Sequence, residues 1–166
     1  IKDLLVIKPD IFKDNRGYFF EFHNLSKLKK SKVYKFNFVQ DNISFSKKNV
    51  IRGLHFQTNQ PQTKLISVIK GKIFDVAVDL RKNSKTYLKY FSVIIDDNNH
   101  IQLLVPKGFA HGFCVLSEYA YVLYKCSAHY HSKYQSGIKW NDKKINIKWP
   151  IKKPILSKND RNLPYL

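Results

Sequence analysis

Two histidines of this sequence lie in glycine-containing, apolar stretches that have the composition of β-strands. His55 lies within residues 50–57 (Val-Ile-Arg-Gly-Leu-His-Phe-Gln), and His111 lies within residues 105–113 (Val-Pro-Lys-Gly-Phe-Ala-His-Gly-Phe). Imidazole titrates near neutral pH and can remove a proton from a substrate when a carboxylate orients it. The alternative for either residue is a packed core histidine, because histidine is often partly buried. The repetition of the pattern favours acid–base chemistry.

Tyr124 is a candidate partner for such a base, because its phenol could deliver a proton. A neighbouring cation such as Lys125 or Lys64 would lower the pKa of the phenol. The alternative is an ordinary strand tyrosine packed against its neighbours. Sequence alone does not separate these two roles.

Three cations, Arg16, Arg52 and Lys64, could hold a phosphate or pyrophosphate group. Arginine does so through two parallel hydrogen bonds, and lysine acts as a point charge. Tyr130 could stack on a nucleotide base. Surface solvation is the alternative for the cations, since the chain has 30 lysines and arginines.

A metal centre is the competing chemistry, because jelly-roll barrels often bind a metal through a His-x-His pair on one strand. The histidine strand here ends in His55-Phe56-Gln57, and the single His-x-His in the sequence is His129-Tyr130-His131. A bound metal needs three or more convergent ligands, and none is evident beside that pair. We therefore expect neither a metal nor another cofactor, and keep a metal-dependent enzyme as an alternative.

The elements that must position these residues are short strands with turns every 8–12 residues. This pattern predicts an all-β jelly-roll barrel formed by a single domain over residues 1–166, with a pocket at its mouth. The only predicted helix begins at Asn24 or Ser26 and ends near Lys30. We predict strands at residues 4–7, 18–22, 36–40, 50–57, 64–69, 72–80, 87–95, 100–105, 113–116 and 119–126.

Two pairs of consecutive strands are predicted to be hairpins. The segments 64–69 and 72–80 flank Lys70-Gly71, and the segments 87–95 and 100–105 flank a polar turn. In the second arm of the first pair, Asp75 and Asp79 share one face of the strand. Aspartates are poor strand formers, so their spacing indicates either a specific role or a solvated face.

Composition excludes several classes of protein. With 43% hydrophobic and 14% aromatic residues, the chain is not disordered, and no apolar run approaches membrane-spanning length. No secretory signal is visible, and the absence of methionine leads us to expect that a short N-terminal piece is missing. Cys114 and Cys126 lie in apolar runs, which is typical of free buried thiols in the cytoplasm.

The formal net charge of +18 is spread along the whole chain. It keeps open a third hypothesis, a non-catalytic binder of nucleic acid or of a sugar nucleotide. Nucleic-acid binders more often concentrate their charge on one element. We therefore expect a lysine-rich solvated surface, with no specific nucleic acid and no membrane as partner.

An ordered set of motifs carries a closer resemblance. The motifs are Arg16-Gly17-Tyr18-Phe19-Phe20-Glu21, Gln40-Asp41-Asn42, Arg52-Gly53-Leu54-His55-Phe56-Gln57, Lys64-Leu65, residues 74–81, residues 106–113, Leu123-Tyr124-Lys125, residues 138–142 and Trp149-Pro150. In this order they closely resemble the dTDP-4-dehydrorhamnose 3,5-epimerase family of the cupin superfamily. The resemblance covers nearly the whole chain.

The resemblance implies a dimeric, cytoplasmic jelly roll that acts without a metal on a nucleotide-linked 4-keto sugar. By position in the motifs, His55 matches the base, Asp160 the carboxylate that orients it, Tyr124 the acid, and Lys64 the cation near the developing enolate. The positions that match substrate contacts are Arg16, Phe19, Glu21, Gln40, Asp41, Asn42, Arg52, Lys64, His111 and Tyr130. Of these, Tyr130 matches the aromatic residue that stacks on the nucleotide base.

Two departures from the family pattern bear on the substrate. The family usually has Leu-Ser-x-Lys-Asp near its end, whereas here the lysine is Lys158 and Asn159 follows it. An acidic residue common before Gly-Ile-x-Trp is absent from residues 134–137. Both departures lie where the resemblance places the nucleotide part of the substrate. A GDP-linked 4-keto heptose, or inversion at C3 or C5 alone, therefore remains the alternative within the family.

Two expectations concern geometry. Arg52 and His55 are an odd number of residues apart, so a regular strand would point them to opposite faces. To share a ligand, they need a bulge or twist at Gly53, or Arg52 must wrap around the strand end. The aromatic segment between Arg16 and Glu21 would be a sticky sheet edge if it stood alone. We expect this segment to pair with a second subunit, so that Arg16 and Glu21 help to complete the partner's pocket. His55 and Tyr124 are expected to serve their own pocket.

Overall fold

The structure, a computed structural model, describes residues 1–30 and 37–166. Regular structure in these ranges is mostly β. The strands are β1 (Leu5–Ile7), β2 (Phe12–Asp14), β3 (Gly17–Phe19), β4 (Gln40–Lys47), β5 (Ile51–Gln57), β6 (Lys64–Lys70), β7 (Lys72–Asp79), β8 (Tyr90–Asp96), β9 (Gln102–Val105), β10 (Phe109–Val115), β11 (Tyr119–Cys126) and β12 (Gln135–Gly137). The helices are α1 (Leu25–Lys29), α2 (Lys158–Arg161) and a 3₁₀ turn at Ser132–Tyr134.

Two five-stranded antiparallel sheets and a separate hairpin make up the architecture. The first sheet has the order β1-β9-β6-β11-β4, the second has the order β12-β5-β10-β7-β8, and β2 pairs with β3 alone. One cluster of buried side chains is shared by both sheets, so the sheets pack face to face. The expected all-β jelly roll with a short N-terminal helix is confirmed.

The central strands of the second sheet are buried on both faces. A second cluster covers the outer face, where Leu54, Val76 and Ala110 pack against Ile138 and Ile145 from the C-terminal segment. This explains why every residue of β10 is buried. A continuous apolar strand of this kind is expected wherever both faces are covered.

Both predicted hairpins are wrong. β6 pairs with β9 and β11 in the first sheet, whereas β7 pairs with β8 and β10 in the second. β8 and β9 likewise lie in different sheets. A turn such as Lys70-Gly71 reverses the chain, but the long-range partners of each strand decide which sheet it joins. In this fold the chain crosses the barrel at these turns.

The remaining local predictions hold with shifted ends. Asn24 caps α1, since its Oδ1 accepts a hydrogen bond from the Lys27 N–H at 3.1 Å. The strand predicted at 18–22 ends at Phe19, and the one predicted at 36–40 begins at Gln40, residue 36 lying outside the described ranges. Sequence periodicity missed α2, because a single helical turn carries no repeat.

The solvated face proposed for the aspartates of β7 is wrong, because Asp75 and Asp79 are both fully buried. Asp79 accepts hydrogen bonds from Arg81, Ser84 and Thr86 at 2.6–2.8 Å. Burial by itself would raise the pKa of Asp79, but these hydrogen bonds lower it overall. Within the described residues, no helix is both long and apolar enough to cross a membrane.

Candidate active site

A bulge in β5 brings Arg52 and His55 to the same side of the strand. His55 pairs with His111 of β10, and Arg52 pairs with Phe113. The two residues of β5 are three positions apart and their partners on β10 only two, so β5 has one extra residue between them. Gly53, at the bulge, has φ +116°, and a Cβ there would lie 2.6 Å from the His111 carbonyl oxygen. Only glycine fits this close approach. Of the alternatives that the sequence left open, the structure therefore has the bulge at Gly53.

A cavity of about 340 Å³ opens between the two sheets. It is lined by eight of the residues singled out from the sequence: Gln40, Asn42, Arg52, His55, Lys64, His111, Tyr124 and Tyr130. Because β5 and β10 belong to one sheet and β4, β6 and β11 to the other, these side chains converge from both walls. This size and the mixed polar lining suit a small organic ligand.

His55 is held by a buried carboxylate. Its Nε2 lies 2.6 Å from Oδ1 of Asp160, and Oδ2 of Asp160 accepts a hydrogen bond from the Ser157 hydroxyl at 2.9 Å. Burial by itself would raise the pKa of Asp160, but the hydrogen bonds from His55 and Ser157 lower it overall. A carboxylate at Nε2 keeps the proton on that nitrogen and leaves Nδ1 as the basic atom.

The N-terminus of α2 aims Asp160 at His55. Ser157 caps the helix, since its Oγ accepts a hydrogen bond from the Asp160 N–H at 3.0 Å. The same hydroxyl donates to the Asp160 side chain, so both ends of this residue are fixed. Asp160 itself does not line the cavity. His55 therefore lies between Asp160 and the cavity.

His111 forms a second histidine–carboxylate pair one strand away. Its Nε2 lies 2.9 Å from both carboxylate oxygens of Asp75, which is completely buried. A buried carboxylate without a partner would be strongly disfavoured, so this pair has a structural role as well as a place on the cavity wall. Of the two histidines, His55 has the more exposed side chain, at 29% against 9%.

Tyr124 faces His55 from the other sheet. Burial raises the pKa of its phenol, and the nearby Arg52 opposes this shift without reversing it. The predicted lowering by Lys125 or Lys64 is therefore wrong. The Lys125 ammonium instead lies 2.7 Å from Asp41. A raised pKa keeps Tyr124 protonated, which is the state that a proton donor needs.

Lys64 contributes a cation to the cavity wall. Burial lowers the pKa of its ammonium, and the proximity of Cys126 and of Asp75 partly offsets this effect. Within the described residues, its Nζ has neither a hydrogen bond nor an ion pair closer than 4.0 Å. A charge held in a half-buried site without a protein partner is available to a ligand.

Comparison with known proteins decides between the chemistries. The family model described as dTDP-4-dehydrorhamnose 3,5-epimerase matches residues 1–166. The chain is 48% identical to the dTDP-4-dehydrorhamnose 3,5-epimerase of Methanothermobacter thermautotrophicus over 95% of this chain and 86% of that one. The chain belongs to the dTDP-4-dehydrorhamnose 3,5-epimerase family. The enzyme class expected from the motifs, a carbohydrate epimerase, is thereby confirmed.

Solved structures of the epimerase family agree in detail with the fold. The Bacillus anthracis enzyme with TDP and pyrophosphate bound superposes with a TM-score of 0.96 at 49% identity, covering 99% of this chain and 94% of that one. The Legionella pneumophila dTDP-6-deoxy-D-glucose-3,5-epimerase in complex with dTDP-4-keto-L-rhamnose superposes with a TM-score of 0.96 at 42% identity. The match covers 99% of this chain and 88% of that one.

The rim of the epimerase cavity is a network of amides around Tyr130. Gln40 accepts a hydrogen bond from the Tyr130 N–H at 2.9 Å and donates to Asn42 at the same distance. The Tyr130 hydroxyl donates to Gln135 of β12. Gln135 is the residue of the non-acidic segment 134–137 that lines the cavity. The ring of Tyr130 is half exposed.

Four predicted substrate contacts do not line this cavity. Arg16 and Phe19 belong to the exposed β2–β3 hairpin, where Arg16 pairs with Asp14 at 2.6 Å. Asp41 points away from the cavity toward Lys125. Glu21 accepts a hydrogen bond from Asn24 at 2.7 Å and pairs with the Lys27 ammonium, so it braces α1. The cavity wall also lacks Lys158 and Asn159, the two residues that depart from the Leu-Ser-x-Lys-Asp pattern of the family.

Sequence analysis missed seven residues that line the epimerase cavity. They are Ser44, Phe56, Gln57, Gln62, Phe113, Cys126 and Gln135. Four could have been found from strand alternation, because Ser44 follows Asn42, Gln57 follows His55, and Cys126 follows Tyr124 at a spacing of two, while Phe113 follows His111 in the same way. Gln62 lies in a loop, and Gln135 begins the short strand β12, which the sequence analysis did not predict. Phe56 lies between His55 and Gln57, so alternation would place it on the opposite face of the strand.

No group of three His, Cys, Asp or Glu side chains forms an arrangement suited to a metal ion within residues 1–30 and 37–166. His129 and His131, the His-x-His pair, flank Tyr130 at the rim. Gln57, which follows His55 at the spacing of a metal-binding pair, faces the same segment.

Proposed function

We propose that the protein binds a dTDP-linked 4-keto-6-deoxy sugar in this cavity and inverts the configuration at C3 and C5. One observation carries the proposal: His55, paired with Asp160 of α2, lines a ligand-sized cavity from one sheet, and Tyr124 lines the same cavity from the other sheet. Inversion requires removal of a proton from one face of the sugar ring and delivery to the opposite face. The ligands named for the two solved relatives support dTDP as the nucleotide.

The reaction follows from the acidity that the 4-keto group confers on its neighbouring carbons. Nδ1 of His55 takes the proton from C3 or C5, and the electron pair of the broken C–H bond moves into the ring to form the enolate. The ammonium of Lys64 stabilises the negative oxygen. Tyr124 then donates its proton to the same carbon from the other face, and the carbonyl re-forms. Proton exchange with solvent restores both groups.

Incubation with substrate in deuterated water tests the proposal. Inversion by proton removal and return is expected to place one deuterium on C3 and one on C5, each detectable by proton NMR. A panel of dTDP-linked and GDP-linked 4-keto sugars, including a heptose, identifies the nucleotide and the sugar. Label on one carbon only would reduce the protein to a single-centre epimerase. Absence of label from every dTDP-linked member would contradict the proposal.

Tyr124→Phe is expected to separate proton removal from inversion. The change removes only the phenol oxygen, so His55 still takes the proton but nothing returns one from the far face. We expect net inversion to fall about 10²-fold or more while deuterium exchange falls less, within the range for loss of a general acid. Both rates are read from one NMR time course. An equal loss of both rates would remove Tyr124 from the role of acid.

The substrate pocket is proposed to be shared between two subunits. The β2–β3 hairpin stands apart from both sheets, and Phe12 and Phe19 on it are 63% and 67% exposed. The outer face of the first sheet also carries apolar side chains, among them Ile43 and Phe45 on its edge strand β4. Exposed apolar surface of this extent favours a partner, and a two-fold dimer covers both copies at once.

Mixing two inactive variants tests the shared pocket. Arg16→Ala is expected to damage the partner's pocket and His55→Ala its own. In a mixed dimer both changes then fall in one pocket and the other pocket is intact. After subunit exchange, we expect the mixture to recover up to about a quarter of wild-type activity, since half the dimers are mixed and each has one good site. If each pocket belongs to one chain, the mixture stays inactive.

We also propose a cytoplasmic location, where nucleotide sugars are made. Both cysteines, Cys114 and Cys126, are buried free thiols. Burial raises the pKa of Cys114 to about 11, which keeps this thiol protonated and unreactive. Such thiols suit a reducing compartment.

A further inference from the structure

Gln57 is a buried amide whose hydrogen bonds all go to the backbone of nearby loops. Its Oε1 accepts a hydrogen bond from the His131 N–H at 2.8 Å. Its Nε2 donates to the carbonyl of Gln60 at 2.9 Å and to that of His129 at 3.3 Å. The residue is only 7% exposed although it lines the cavity. Every polar atom of this side chain therefore has a partner in the protein.

These bonds fix the segment that carries Tyr130. The side chain of Gln57 donates to the backbone carbonyl of His129, just before Tyr130, and accepts from the backbone N–H of His131, just after it. The Tyr130 N–H itself is bound by Gln40. The backbone on either side of the ring is thus tied to β5, two residues beyond His55. The ring itself is half exposed, and the hydrogen bond from its hydroxyl to Gln135 holds only its outer end.

We propose that Gln57 is a positioning residue for the nucleotide, acting through Tyr130. This rests on the proposed function and on the stacking of Tyr130 against the nucleotide base, which the family resemblance implies. The site needs a donor and an acceptor on one uncharged side chain, which only an amide of this length supplies. In a jelly roll of this kind, the position two after the first histidine is where a metal-binding member has a second ligand. Here Gln57 occupies that position. It connects β5, the strand that carries the catalytic base His55, to the segment around Tyr130 at the nucleotide end of the cavity.

The central test is calorimetric titration with dTDP. Tyr130→Ala is expected to weaken dTDP binding about tenfold, in the range for loss of one stacked base. Gln57→Ala is expected to weaken it by a similar factor and to raise KM, while kcat at saturating substrate stays within about threefold. The double variant is expected to bind no more weakly than either single one, because both changes remove the same contact.

Gln57→Glu discriminates between space filling and hydrogen bonding. It keeps an acceptor for the His131 N–H but places a second oxygen against two carbonyl groups. We expect Gln57→Glu to bind dTDP as weakly as Gln57→Ala does. Wild-type affinity in Gln57→Glu would show that volume alone matters and would overturn the proposal.

Amide hydrogen exchange measures positioning without reference to any ligand. In Gln57→Ala the segment 129–131 is expected to exchange at least about tenfold faster, because the His131 N–H loses its acceptor. Gln102→Ala removes an equally buried amide with two hydrogen bonds in the other sheet, and sets the loss of stability expected from such a change. Its effect on segment 129–131 is expected to be small.

The outcomes separate the two proposals. If Tyr130→Ala leaves dTDP affinity unchanged, the stacking role that the resemblance implies for Tyr130 fails, and the positioning role of Gln57 fails with it. If Tyr130→Ala weakens binding and Gln57→Ala does not, the proposed function stands and the role of Gln57 is refuted. Unchanged exchange of segment 129–131 in Gln57→Ala would refute it as well.

Discussion

Replacement of His55 by alanine is expected to abolish deuterium exchange at both C3 and C5, with a fall of about 10²–10⁴-fold, the usual contribution of a general base. The expectation rests on the position of His55 on the cavity wall with Asp160 behind it. One base serving both carbons means that both labels disappear together. NMR in deuterated water and binding of dTDP by calorimetry are the measurements.

A matched variant keeps this test free of folding effects. His55→Ala leaves the buried Asp160 without its strongest partner, which by itself destabilises the protein. His55→Gln retains an N–H donor for Asp160 but has no titratable nitrogen. We expect both variants to lose exchange equally and His55→Gln to keep more of the thermal stability. Residual exchange above about 10% in either folded variant would place the base elsewhere.

Asp160→Asn is expected to give the second largest loss, about 10²–10³-fold in kcat, by analogy with the range for an orienting carboxylate. Its amide can donate to Nε2 of His55, which would leave the ring proton on Nδ1, the atom that must accept the substrate proton. The imidazole would then be held in the wrong tautomer. Since Asp160 does not line the cavity, dTDP affinity is expected to remain within about twofold.

Ser157→Ala is the control for the local structure around Asp160. It removes the hydroxyl that caps α2 and donates to Oδ2, but leaves the bond to His55 in place. We expect a loss of stability of about 1 kcal/mol, typical of a lost cap, with a loss of activity below about tenfold. If Asp160→Asn and Ser157→Ala are equally impaired, helix geometry rather than the tautomer of His55 explains both.

Asp160 also makes the stability of the folded protein depend on pH. Its pKa is lower in the folded protein than its ordinary value of about 3.9, so its stabilising contribution is complete above that pH. The contribution is lost as pH falls from there through the folded value. The wild type is therefore expected to lose more stability on acidification below about pH 4 than Asp160→Asn does.

Local sequence patterns predicted the class of fold and most of the strands, but they missed β2 and β12, which have only three residues each. Apolar and glycine-containing stretches located β5 and β10, and turn residues located the reversals between strands. They could not assign strands to sheets, because a turn at Gly71 looks the same whether the chain returns to the same sheet or crosses to the other. Pairings such as β5 with β10 depend on residues more than fifty positions apart.

The site was more predictable than the network around it. Motif resemblance located His55, Tyr124 and Lys64, which share the cavity, and Asp160, which lies behind it. The partnership of His111 with Asp75 was not predicted, because nothing local distinguishes a buried aspartate with a partner from a solvated one. The direction of the Tyr124 pKa was also wrong, since sequence proximity of Lys125 gave no information about where its ammonium points.

Crossing between the sheets at nearly every turn has a consequence for how the molecule forms. β4 must find β11 and β5 must find β10, and neither pair can assemble until most of the intervening chain has been made. Closing such long loops comes before the gain from pairing, so we expect folding in milliseconds to seconds rather than microseconds. During that interval β10, which is buried on both faces in the folded protein, is exposed and unpaired. The partly folded chain is therefore prone to aggregation until β10 docks between β5 and β7.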